Sequence, residues 1–148
     1  MLNYIYPFLL LLLMWQCQND STKPQTEDVK FGETFSLVRG EQVEITGEGE
    51  TLTLKLQNVI DSRCPSDANC VWLGNATATF TASNAQESDK ELQMCIGDCR
   101  PAPVRSKHTL TVTVGGTGYN IILKEVLPYP SSEERGDKKE VRMVVEVL

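Results

Sequence analysis

The sequence has little of what catalytic and nucleic-acid-binding chains carry. It has one histidine, His108, so a metal centre built on several imidazoles is excluded. No serine stands in a Gly-x-Ser-x-Gly context, the signature of a hydrolase nucleophile elbow. No glycine-rich loop of the phosphate-cradling kind is present. Glycosidase chemistry needs two carboxyl groups facing one cleft. The acids here fall mainly in turns and in the run SSEERGDKKE, residues 131–140, which reads as a solvated loop. Basic charge is short as well: 14 Lys and Arg against 20 Asp and Glu give a net charge of −6. No Lys/Arg cluster interleaves with aromatics, so an acidic surface of this kind disfavours nucleic acid. No catalytic residue, metal site or cofactor is expected.

Long apolar runs are almost absent, and the exception is informative. Residues 1–17 read MLNYIYPFLLLLLMWQC, apolar almost throughout from Ile5 to Trp15. A bilayer-spanning helix needs about 20 such residues, and this stretch has the length of a signal-peptide core. A buried core helix is the alternative. It fits poorly with a run that is apolar on every face and leads straight into polar sequence. Cys17 stands where a lipobox places its lipidated cysteine, although Met14, Trp15 and Gln16 depart from the usual residues before it. Residues 18–30, beginning QNDSTKPQTED, read as a polar tether. A diacylglyceryl thioether with an N-acyl chain would bury several alkyl chains. At about 0.8 kcal/mol per CH₂ that is a lasting anchor. Ordinary cleavage near this point would instead leave a soluble exported protein.

Cys64, Cys70, Cys95 and Cys99 remain once Cys17 is set aside. An even number in a small exported domain reads as two disulfides. Three connectivities are possible. Local pairing is the first choice, because CPSDANC and CIGDC each bracket a turn-like segment. A four-thiolate zinc site is disfavoured by the spacing of the first pair and by an oxidising compartment.

From residue 31 to 148 the apolar residues recur with period two. Phe35 and Leu37, Val43 and Ile45, and Leu52, Leu54 and Leu56 each alternate with polar residues. So do Leu92, Met94 and Ile96, Leu110, Val112 and Val114, Tyr119, Ile121 and Leu123, and Val141, Met143, Val145 and Val147. A register slip near Val126 suggests a bulge. Turns with Gly, Pro, Asn or Ser separate the segments, and no amphipathic helix, internal repeat or second domain is seen. This predicts one all-β domain of about eight strands, an antiparallel β-sandwich or a barrel. Extended back from Phe80, the alternation puts Ala78, Ala76, Gly74 and Trp72 on one inward face, with Cys70 opening the strand. Trp72 is then expected to plug the core beside a disulfide. The small residues between imply either large partners opposite or a ligand cavity. His108 is expected to be a satisfied edge or surface histidine.

The stretch DSRCPSDANCVWLGNATATF, residues 61–80, resembles a family of small, largely uncharacterised bacterial envelope lipoproteins. The matching positions are Asp61, Ser62, Arg63, Cys64, Pro65, Cys70, Trp72, Gly74 and Ala76. YNIILKEVLPYP, residues 119–130, and the terminal strand are similar too. The resemblance implies an envelope location and the β fold, and it implies no known catalytic activity. Cys95 and Cys99 look like an addition to the family pattern, which favours local pairing. The Asp61–Ala76 block reads as a structural corner, with Asp61 accepting turn N–H groups or pairing with Arg63. Its alternative is a rigid loop that presents Arg63 and Asp67 to a partner.

The functional expectation is a non-enzymatic envelope lipoprotein, binding or structural, with a membrane as one partner and an envelope protein as a possible second. An inhibitor of an exported hydrolase is the first alternative and a small enzyme the second. The anchor is directly testable. Intact-mass analysis of the membrane fraction should show a diacylglyceryl adduct on a chain that starts at Cys17. A soluble chain with unmodified Cys17 would contradict it.

Overall fold

A computed structural model describes residues 28–133 and 138–148. The expected signal peptide, Cys17 and most of the tether lie outside the described residues. The described chain is all-β, with nine strands in two sheets: β1 (Asp28–Lys30), β2 (Thr34–Val38), β3 (Gln42–Gly47), β4 (Glu50–Asp61), β5 (Asn75–Ser83), β6 (Lys90–Gly97), β7 (His108–Val114), β8 (Thr117–Leu127) and β9 (Glu140–Val147). One sheet has the order β1-β3-β4-β5-β6 and the other β2-β9-β8-β7. Their inner faces share one core, to which Leu52, Leu54, Leu56, Phe80 and Met94 contribute from the first sheet and Tyr119, Ile121, Leu123 and Met143 from the second. This is the two-layer solution for strands that are apolar on one side.

Three details depart from the sequence reading. Asp28–Lys30, assigned to the tether, form β1, which pairs in parallel with β3 and buries Val29 opposite Ile45. The other strand pairs are antiparallel. Three residues are too short for periodicity to register. The second departure is at β5, which starts at Asn75, so Cys70 does not open a strand and Trp72 is exposed. The cause is Gly74, whose φ of +67° breaks the extended run and ends the alternation inferred from Ala76 and Ala78. Those two alanines are fully buried in the core as expected.

The third departure is a bulge in β4 between Leu56 and Asn58, besides the one in β8 between Leu123 and Glu125. Before it, Leu52, Leu54 and Leu56 point inward. After it the phase flips, so Val59 packs against the core, Ile60 faces solvent and Asp61 turns inward. One inserted residue thus aims a carboxylate at the end of the sandwich.

The chain passes between the sheets three times, from β1 to β2, from β2 to β3 and from β6 to β7. At one edge Phe31 leaves β1, stacks on Tyr119 at 5.9 Å between ring centroids, and leads into β2. At the other, residues 98–107 join β6 to β7. The exposed edge of β6 is covered there: Gly97 and Arg105 exchange backbone hydrogen bonds, and His108 Nδ1 accepts the Cys95 N–H at 3.1 Å. These contacts occupy donors that a bare edge would offer to another strand. His108 is therefore satisfied at an edge, and its lone pair is needed for the bond. Burial holds its pKa below the ordinary value, and the charge of Arg105 adds to this.

Cys64 is bonded to Cys70 and Cys95 to Cys99. All four thiols are consumed, which leaves no four-thiolate metal site. Both loops are short, so loop closure predicts roughly 2 kcal/mol from each bridge. Replacing Cys95 and Cys99 together by Ser should lower unfolding free energy by about that amount without loss of the β circular-dichroism spectrum. Retention of full stability, or a peptide map linking Cys64 to Cys95, would contradict the assignment.

Candidate functional site

The Asp61–Ala76 block forms a clamped loop that leaves β4 and returns into β5. Its base continues the strand pairing: Ser62 N–H donates to the Asn75 carbonyl at 2.8 Å, and Cys64 N–H to the Leu73 carbonyl at 3.0 Å. Gly74 lies so close to the Ser62 carbonyl that a Cβ at this position would collide with it. The Gly74 carbonyl in turn accepts the Asp98 N–H at 2.9 Å and presses on the α-carbon side of Gly97. Glycine at 74 is thus required by conformation and by contact. Beyond the base, the Cys64–Cys70 bridge closes the loop.

Charge fixes the base to the second sheet. The Asp61 side chain is 2% exposed and that of Arg63 9%. Arg63 donates from Nε to Asp61 Oδ1 at 2.8 Å and from Nη2 to Oδ2 at 2.7 Å, a fork-to-fork pair. Nη2 also donates to the Val126 carbonyl of β8 at 2.7 Å. The guanidinium lies 4.3 Å from the Tyr129 ring centroid, a cation–π contact. Lys139 adds a second cation, 3.2 Å from Asp61 Oδ2 and 2.7 Å from the Pro128 carbonyl. Burial by itself raises the Asp61 pKa. The hydrogen bonds and charge of Arg63, with Lys139, outweigh it and hold the carboxyl below its ordinary value.

The outer half of the loop is tied to the segment after β8. Ser66 N–H donates to the Pro130 carbonyl at 2.9 Å, and Ser132 donates to Asp67 from its N–H at 2.8 Å and from its hydroxyl. These bonds lower the Asp67 pKa.

Asp61 and Arg63 form the ion pair that the structural-corner reading expects, and the alternative, a loop that presents Arg63 and Asp67 to a partner, is corrected. Asp61 and Arg63 are buried against each other, and Asp67 is exposed but engaged by Ser132. What the loop offers is apolar. Val71, Trp72 and Leu73 are 96%, 59% and 62% exposed, with Ile60 exposed at the end of β4. Trp72 is therefore a surface residue and not a core anchor. Lys139, Tyr129 and Ser132 were missed. Lys139 and Ser132 belong to the charged run read as a solvated loop, and Tyr129 carried no signal beyond its place in YNIILKEVLPYP. No protein-family model, curated protein or solved structure matches the chain, so the site is read from its own chemistry.

Removing the carboxylate tests the clamp. Asp61→Asn leaves Arg63 buried without its counter-charge, which should cost about 3–5 kcal/mol. The native pKa is held below 3.8, so above that value the unfolded chain gains nothing by protonation and the stabilisation is complete. It is lost as pH falls through the lower native value. The stability difference between wild type and Asp61→Asn, measured by urea denaturation, should be flat above about pH 5 and shrink below the ordinary aspartate range. A difference that does not depend on pH would show that the charge is not what holds the loop.

Proposed function

We propose that the chain is a non-enzymatic binding protein of the bacterial envelope, anchored through lipid on Cys17, and that it docks a protein partner on the exposed Val71–Trp72–Leu73 segment, the returning limb of the loop. The observation that carries this reading is the exposure of three consecutive large apolar side chains on a loop whose base is locked. Isolated surface hydrophobes need no explanation, whereas a contiguous apolar cluster held out to solvent does. Trp is the side chain most enriched among interface hot spots. Burying it against a partner returns free energy of a few kcal/mol.

The clamps add a second argument. Binding is weakened by the ordering of loops and side chains at the interface. Here the disulfide, the Gly74 turn, the Asp61–Arg63–Lys139 cluster and the Asp67–Ser132 bonds have already ordered the loop. The two disulfides suit an oxidising, exported environment. The resemblance of residues 61–80 to envelope lipoproteins supports the same location. A rigid, disulfide-closed apical loop is also the form in which small inhibitors meet their enzymes, so an exported hydrolase is the second candidate partner.

Trp72 is mostly exposed and outside any strand, so Trp72→Ser should change stability by no more than about 0.5 kcal/mol. A photocrosslinking side chain at Leu73 should give a discrete protein adduct in envelopes of the producing cell, and Trp72→Ser should abolish it. The identity of the adduct separates an envelope component from a hydrolase. Absence of an adduct, or one indifferent to Trp72→Ser, would contradict the docking role.

A further inference from the structure

A second feature lies at the edge of the sandwich, between the end of β6 and the bulged part of β8. A cleft of about 540 Å³ opens there. Ile96, Val126 and Tyr129 contribute its apolar lining, and Arg105, Lys107 and Lys124 its cations. In a protein of net charge −6 this is an unusual gathering of basic side chains.

Arg105 distinguishes the cleft from a solvated basic rim. Arg63, Arg100 and Arg142 each pair with a carboxylate. Arg105 pairs with none among the described residues, and its Nε is shielded from solvent without a hydrogen-bond acceptor. A buried donor left idle is costly, the more so on a cation. The residue is nonetheless held in place. Its backbone exchanges two hydrogen bonds with Gly97, at 2.7 and 3.1 Å. Gly97 has φ +92° and packs so tightly on the Gly74 carbonyl that a side chain there would clash. The acid on the cleft wall, Glu125, is already occupied by Arg142 at 3.1 Å. Arg63, which also borders the cleft, is spent on Asp61. Among the described residues, the cations of the cleft that meet no carboxylate are Arg105, which also borders the neighbouring hollow beside His108, Lys107, and Lys124, which has a 3.5 Å contact to the Thr34 hydroxyl.

We infer that this cleft binds a carboxylate carried on an apolar body, the carboxylate meeting Arg105 and Lys107 and the body lying over Ile96, Val126 and Tyr129. Arginine presents a planar fork that matches a carboxylate, and the mixed lining of a few polar groups in an apolar cleft is that of a small-ligand site. The group could come from a free organic acid or from the C-terminus of a peptide chain, which share this chemistry. The inference does not depend on the apical loop: Trp72 is not part of the cleft.

Calorimetric titration of the purified full chain with N-acetyl-phenylalanine and with its amide is the test. The acid should bind at least about tenfold more tightly, the factor expected from charge-assisted hydrogen bonds. Arg105→Gln should erase the preference while keeping the melting temperature, since the bonds to Gly97 are made by backbone. Lys107→Gln should weaken acid binding by about two- to fivefold. A tetrapeptide ending in the same phenylalanine carboxylate distinguishes the sources: tighter binding than the free acid assigns a chain terminus, weaker binding a small acid. Equal affinity for acid and amide in the wild-type chain would overturn the inference, as would binding of neither. So would a preference that survives in a folded Arg105→Gln chain.

Discussion

A carboxylate that is 2% exposed must find its counter-charge inside the protein, and Asp61 finds it in Arg63 two residues on and in Lys139 from the approach to the last strand. This requirement organises one end of the sandwich. The chain runs on from β4 with its strand pairing intact, so Arg63, two residues on, shares a face with Asp61 and reaches it with both arms of its fork at the base of the disulfide loop. Its remaining hydrogen bond goes to the Val126 carbonyl and its face to Tyr129, so the same guanidinium joins the two sheets. Apolar residues of similar volume could be as stable. The ionic version adds direction, since a fork-to-fork pair fixes orientation as well as distance.

Most of the fold is legible in the sequence because nearly every strand buries one face, and a buried face imposes period two. The register slip near Val126 was legible for the same reason. Three features were not, and each has a physical cause. β1 is too short to show a period. The β4 bulge leaves an apolar residue at each phase, so Leu56, Val59 and Ile60 read as one ambiguous run. Gly74 looks like a small core residue when counted back from Ala76, although its left-handed backbone ends the count there.

The site shows a second limit. Asp61 and Arg63 are two residues apart, and their pairing could be named from sequence. Lys139 is far along the chain in a run rich in charge, and no local pattern marks it as a lysine that reaches a buried acid. Trp72 was misplaced through an extrapolated alternation, and with it the character of the loop. Charge holds this loop, as the Asp61–Arg63 spacing allows, and apolar surface is what it shows, which the alternation did not reveal.

Docking on this loop requires that Val71, Trp72 and Leu73 be held out to solvent by a backbone as rigid as the strands beside it. Nitrogen-15 relaxation reads this directly. Backbone order parameters for Val71, Trp72 and Leu73 should equal those of β4 and β5, near 0.85, the value typical of a rigid backbone. Values below about 0.6 at these three residues, with the strands unchanged, would mean a flexible loop and would contradict the account.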